Sequence, residues 1–292
     1  MSRESRNFLL LVTLTRVGDR KEQDVKLKVV ATLVYRFDHE TPVIVAIEPA
    51  RSSDQSILSD RLLLDQSVNL IRDLDAETGA RRFRAVLSGQ VSIQYQGTID
   101  NGTRRLLHAD ARQHAWAELP SEVLPYLLPS RFCPSDNLMR FAQREFSDIE
   151  AGGAKVLAVV DWLQEHVDYV HGVSNAQTTA EQTFIDRAGV CRDFSHLAIA
   201  LCRALNLPAR AVSVYAADLD PPDFHAVFEV YLDGQWWLVD PTRLAPVDGM
   251  VRIAAGRDAA DIAFLTSGNF CQCQNQWVEV SRIEDSEPAQ AA

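Results

Sequence analysis

Apolar and polar positions alternate through the first third of the chain. From Val25 the apolar residues fall at every second place (Leu27, Val29, Ala31, Leu33, Tyr35 and Phe37), the two-residue period of a strand with one buried face. Further apolar runs follow at 43–47, 62–64, 68–71, 83–87 and 91–99. Turn-forming pairs separate them: Asp38-His39, Thr78-Gly79, Ser88-Gly89 and Asp100-Asn101-Gly102. Short strands punctuated in this way predict an antiparallel, β-sandwich-like domain. Asn101-Gly102-Thr103 fits a glycosylation acceptor, but a hairpin turn is the better reading.

The pattern then changes. Pro120, Pro125, Pro129 and Pro134 mark a connector that cannot continue a helix. Beyond it, Ser135-Asp136 can cap a helix running to about Glu145. A second helix is expected over 154–166, with Val156, Val159, Val160 and Leu163 on one face. A third is expected over 179–187. From Cys191, the residues Phe194, Leu197, Ala198, Leu201, Cys202 and Leu205 recur at helical spacing up to Pro208. Strands are expected at 209–215, 226–232 and 235–240, the last two joined by the hairpin signal Asp233-Gly234. The fold class is therefore α+β. It divides into an extension or edge strand at 1–24, a β-rich domain at 25–115, a connector at 116–135, a core at 136–282 and a flexible tail at 283–292.

The hairpin has a chemical consequence. Counting back from its turn, Leu232 faces Gln235, so His225 comes near the far end of the next strand, where Asp240 stands. A small register offset makes the two cross-strand neighbours. Cys191 follows Gly189 at the start of a helix, where unpaired N–H groups and the helix dipole favour a thiolate. In chain order Cys191, His225 and Asp240 can serve as nucleophile, general base and orienting carboxylate. The backbone N–H of Cys191 and one further donor would meet an oxyanion. Each residue alone has a plainer reading: a small core hydrophobe, a core histidine, a turn-forming aspartate. Their order and their placement on these elements favour the chemical one.

Composition narrows the partners. The 292 residues are 47% hydrophobic and carry a net charge of −11, which argues against nucleic acid and against an anionic membrane surface. Five cysteines do not make a disulfide framework, so a reducing, cytoplasmic location is expected. Cys271-Gln272-Cys273 lacks a second closely spaced Cys/His pair to complete a metal site. The apolar run at 8–14 follows Arg3 and Arg6. Arg16, Asp19, Arg20 and Lys21 come at once after it, with no small-residue cleavage site, which argues against a signal peptide.

Three motifs carry a family resemblance. Gly189-Val190-Cys191-Arg192-Asp193-Phe194-Ser195-His196-Leu197, His225-Ala226-Val227-Phe228-Glu229-Val230 and Trp237-Leu238-Val239-Asp240-Pro241-Thr242 together resemble the core of the transglutaminase-like superfamily. More narrowly, the chain resembles bacterial transglutaminase-like cysteine proteases, whose β-rich N-terminal region residues 25–99 also resemble. Gly256-Arg257-Asp258-Ala259-Ala260-Asp261 matches a late motif of that group.

The resemblance implies a papain-like α+β core with a triad of Cys191, His225 and Asp240. It implies a peptide or protein amide as substrate, an acyl-thioester intermediate, and no metal or organic cofactor. Asp193 and His196 match accompanying positions. Asp193 is read as fixing the helix N-terminus. His196, about 140° around the helix from Cys191, is read as a buried structural residue. Tyr169 stands where relatives often carry an aromatic, as a second oxyanion donor or a pocket wall. Trp236 and Trp237 alternate faces, so Trp236 is a candidate for the substrate cleft. Hydrolysis by a cysteine peptidase or amidohydrolase leads. Transamidation and a non-catalytic, peptide-binding scaffold are the alternatives.

Overall fold

A computed structural model of the chain describes residues 24–283. Apart from their inner ends, the expected extension at 1–24 and tail at 283–292 lie outside these residues. The first region holds β1 (Lys26–Glu48), β2 (Ser56–Leu64), β3 (Ile71–Leu74) and β4 (Arg81–Asp100). The expected strands at 25–37 and 43–47 are one long element, β1. Those at 83–87 and 91–99 are likewise one element, β4.

The two pair antiparallel along their length, with a register break where Phe37 faces Gly89 and Thr41 faces Leu87. Beyond the break they continue with new outer partners. β2 pairs β4 over its Ile93–Asp100 end, and β3 pairs it from Arg81 to Arg84. Alternation locates this core well: Leu27, Val29, Ala31, Leu33, Val43, Val45 and Ile47 are all buried. It does not locate β3, whose four residues are all exposed and so carry no period. Asn101-Gly102 does not turn a hairpin. The Asn101 side chain is buried and donates to the carbonyls of Asp248 and Met250 at 2.9 and 2.8 Å.

A strand-free connector leads to α1 (Ser135–Glu145), α2 (Gly153–His166), β5 (Asp168–Tyr169), α3 (Ala180–Asp186), β6 (Ala188–Gly189) and α4 (Cys191–Ala204). Ser135 is the first helical residue of α1 rather than its cap; Pro134 precedes it with no side-chain hydrogen bond. α4 is buried from Asp193 to Ala204. It stops before Pro208, because Asn206 takes a left-handed φ of 64°. Next come β7 (Ala209–Ala216), β8 (Phe224–Leu232), β9 (Gln235–Val239) and β10 (Met250–Gly256), a four-stranded sheet in the order β10-β7-β8-β9. Every residue of β10 is buried, so it shows no alternation in sequence. α4 packs against this sheet in one core with Val156, Leu163, Phe228 and Val230.

The last strands, β11 (Leu265–Ser267) and β12 (Gln272–Ile283), return to the first sheet and pair antiparallel with β1. The expected core segment at 136–282 therefore gives up its final strands. The two halves are also joined by the buried Tyr215 hydroxyl of β7, which donates to the Ile47 carbonyl at 2.6 Å. Among the described residues, no helix is long and apolar enough to cross a membrane.

Candidate active site

The site is built around the first turn of α4. Val190 is extended ahead of the helix, and its N–H donates to Asp193 Oδ2 at 2.9 Å. Asp193 thus reaches back from the first turn to satisfy a backbone donor the helix leaves unpaired. It is wholly buried and is held from the other side by Arg192, 2.9 Å away. Gly189 is required for steric reasons. A Cβ there would lie 2.6 Å from the Asp193 Cβ. Ser195 Oγ lies 2.9 Å from the Cys191 carbonyl and 3.0 Å from the Ala226 carbonyl, so it ties the start of α4 to β8.

His225 enters from β8 and is buried with Asp240. His225 Nε2 lies 3.1 Å from Asp240 Oδ2. The other carboxylate oxygen accepts from the Thr242 N–H at 2.9 Å and the Thr242 hydroxyl at 2.7 Å. The Ala245 N–H donates to Oδ2 at 3.2 Å. With Nε2 committed to Asp240, Nδ1 is the ring nitrogen left for the Cys191 thiol, with which His225 also interacts.

The charges follow from these contacts. Burial works against an imidazolium, but hydrogen bonds to Asp240 and to Cys191, with their charges, outweigh it and push His225 up to about 10. For Asp240, burial raises the carboxyl. The His225 hydrogen bond and charge, and the two Thr242 bonds, overcome that and hold it below the ordinary carboxylate range.

Tyr169 comes to the site through a pairing that local periodicity does not signal. β5 and β6 form a short parallel ladder that sets Tyr169 opposite Gly189. Its ring leans on Phe194 at 5.8 Å. Burial and the neighbouring Cys191 push its phenol up to about 12.

His196 faces away from Cys191. It stacks on Phe132 at 5.3 Å, and its Nε2 accepts from the Ala259 N–H at 3.1 Å. Burial draws it down to about 4, so it is neutral near pH 7.

Trp236 corrects the sequence reading. It pairs with Tyr231, six residues along β8 from His225, roughly 20 Å at strand rise. It packs on Tyr126 and Arg210 instead of lining the Cys191 cleft. Thr242 is the residue that sequence reasoning passed over. The Asp-Pro-Thr sequence was its signal, since a hydroxyl two residues after an aspartate can bond its carboxylate. Among the described residues no cluster of His, Cys, Asp and Glu could hold a metal ion.

Comparison with known proteins gives the family. Residues 140–241, which include Cys191, His225 and Asp240, match the transglutaminase-like superfamily. The crystal structure of a putative cysteine protease from Cytophaga hutchinsonii superposes with a TM-score of 0.85 and 37% identity. The match covers 91% of this chain and 93% of that one. The chain belongs to the transglutaminase-like superfamily. The Cytophaga match carries the similarity well beyond the 140–241 stretch of this transglutaminase-like protein. An uncharacterized protein of Mycobacterium leprae is 25% identical over 188 residues, 58% of this chain and 66% of its own length. One of Mycobacterium tuberculosis is 33% identical over 128 residues, 39% of this chain and 41% of its own. The chain thus spans about two-fifths to two-thirds of the length of these curated relatives.

Proposed function

We propose that this protein is a thiol-dependent amide-bond enzyme, most simply a cysteine peptidase or amidohydrolase. The observation that carries the reading is the buried His225–Asp240 pair, 3.1 Å apart, whose imidazole also interacts with a cysteine at a helix N-terminus. Cys191 Sγ attacks the substrate carbonyl as the thiolate of a pair in which His225 already holds the proton. The tetrahedral oxyanion is met by the Cys191 N–H and the Tyr169 hydroxyl. Collapse breaks the C–N bond, His225 gives its proton to the leaving amine, and an acyl-thioester remains. Water, deprotonated by His225, then attacks the thioester, releasing the acid and regenerating the thiol. Asp240 keeps the imidazole in one orientation and stabilises its charged form.

Hydrolysis is favoured over transamidation by the 37% identity to a protein described as a putative cysteine protease. Five unpaired thiols fit a reducing, cytoplasmic setting. The reading is tested by incubating the protein with a peptide ester or amide library and looking by mass spectrometry for an acyl adduct on Cys191. An adduct that decays in water to a free acid supports hydrolysis. One discharged only by added amine supports transamidation. No adduct from any member leaves the peptide-binding scaffold as the better account.

A further inference from the structure

A cavity of about 830 Å³ lies apart from the Cys191 site, between loops of the first sheet and strands β8, β9 and β10. Neither Cys191, His225, Asp240 nor Tyr169 lines it. Its volume is in the range that takes a small ligand. Three arginines reach it with side chains almost wholly withdrawn from solvent: Arg104 at 4% exposure, Arg210 at 11% and Arg252 at 9%. Two carboxylates answer them. Glu229, 1% exposed, accepts from Arg210 Nε at 2.7 Å and from Arg252 Nε. Asp54 is shared by Arg252 and Arg104. The three guanidinium groups outnumber these two carboxylates by one, and Arg104 turns its remaining N–H groups to the carbonyls of Val247, Met250 and Asp54, which are neutral acceptors.

Arg104 carries the sign of that excess. Its Nε is buried without a partner. Burial and the repulsion of Arg252 draw it down to about 10. Arg210 offers a prepared surface. Its guanidinium lies 4.0 Å over the Trp236 ring, and that ring is braced edge-on by Tyr126 at 5.2 Å and Tyr231 at 5.3 Å. A stacked guanidinium presents its N–H edge in a fixed plane, the geometry a carboxylate meets with two parallel hydrogen bonds. An aromatic or aliphatic body would find apolar contact beside Trp236.

The rim works in the opposite sense. It carries Asp75, Glu77 and Glu122 beside Arg51 and Arg105, and Arg82, 3.6 Å from Asp75, answers one of the three carboxylates, so the rim offers no surplus positive charge to a ligand's second or third negative group. The walls are also fixed in advance. Ala50 N–H donates to the Arg252 carbonyl at 2.8 Å, and the Gln55 amide bridges Ala50 and Arg252 with bonds of 2.7 to 2.9 Å. Arg51 N–H donates to Gly79 at 2.9 Å, and a Cβ on Gly79 would stand 1.8 Å from the Arg51 carbonyl oxygen.

We propose that this cavity is a second binding site, selective for a small organic monocarboxylate with an apolar body. The charge excess sets the sign of the ligand, the rim limits its charge to one, and the Arg210–Trp236 stack sets its shape.

The test uses the full chain carrying Cys191→Ala, so that binding is read without turnover and independently of the proposed amide chemistry. Phenylacetate and an N-acetyl-dipeptide acid are titrated calorimetrically, each against its primary amide, with inorganic phosphate as a third probe. The expected result is millimolar or tighter binding of both acids, about 10-fold weaker binding of the amides, and no binding of phosphate. Arg210→Lys keeps the charge beside Glu229 but removes the fork. Trp236→Ala removes the shelf. Each should weaken the acids about 10-fold while the melting temperature stays near that of the parent. Equal binding of acids and amides, phosphate binding as tight as the acids, indifference to both variants, or no binding at roughly 10 mM would each overturn the proposal.

Discussion

His225 Nε2 and Asp240 Oδ2 meet at 3.1 Å although neither belongs to the β8–β9 ladder at that point; its last pair is Phe228 with Val239. By the register of the hairpin, the position facing His225 would be Thr242. Asp240 reaches the imidazole because the chain turns after Val239, a turn held by three bonds to its carboxylate, two from Thr242 and one from Ala245.

The charge of Asp240 is therefore separable from its shape. Asp240→Asn should leave the fold intact and lower kcat by roughly 10² to 10⁴-fold, once a substrate is in hand. Thr242→Val should give a smaller loss of the same kind, because the carboxylate loses a donor and not its charge. The ratio of kcat values in the two variants checks this.

The imidazolium also sets a pH window. His225 is raised from 6.5 to about 10, so the stability it lends is whole below 6.5 and is lost as pH rises through about 10. The melting-temperature gap between the wild-type protein and His225→Ala should shrink across that interval. Alkylation of Cys191 by iodoacetamide at pH 7 should be slower in His225→Ala than in the wild-type protein. Identical alkylation rates would mean that no thiolate–imidazolium pair forms.

The N-terminus of α4 has no room for a methyl group at Gly189, where a Cβ would press on Asp193. Gly189→Ala should displace that carboxylate from the Val190 N–H and with it the thiol of Cys191. Asp193→Ala removes the same bond and should cost about 0.5–2 kcal/mol in denaturant unfolding. Both variants should lower the alkylation rate of Cys191 at pH 7.

His196 tests the distinction between structure and chemistry on a single helix. Its folded value of about 4 lies below the ordinary 6.5, so the unfolded chain takes up the proton first, and stability falls as pH drops from 6.5 toward 4. His196→Ala leaves the Ala259 N–H unpaired and should cost about 1–3 kcal/mol at pH 7, while abolishing this acid-side loss. Cys191 should remain reactive in the folded fraction.

A fifth expectation concerns the return of the chain to its first sheet. β12 covers β1 from Lys26 to Arg36. Truncation after Phe264 should expose that strand edge and shift the protein toward aggregation, as size-exclusion chromatography would register, although every residue of the candidate triad is retained.

Sequence alone determined what depends on short-range order. Period-two alternation marked the buried positions in the first half of β1, apolar runs between turns marked β4, helical spacing marked α4, and Asp233-Gly234 marked the hairpin that carries His225 toward Asp240. Motif order singled out Cys191, His225 and Asp240. Tertiary structure decided what depends on contacts between distant segments. The β5–β6 ladder brings Tyr169 beside Cys191, strand register carries Trp236 away from it, and β12 returns to β1 across more than two hundred residues. The physical reason is that periodicity records only whether a residue is buried. Which distant partner buries it is set by packing and hydrogen-bond register. That is why the all-buried β10 and the all-exposed β3 left no pattern to read, and why the arginines around Glu229 became a site only once the sheets were assembled.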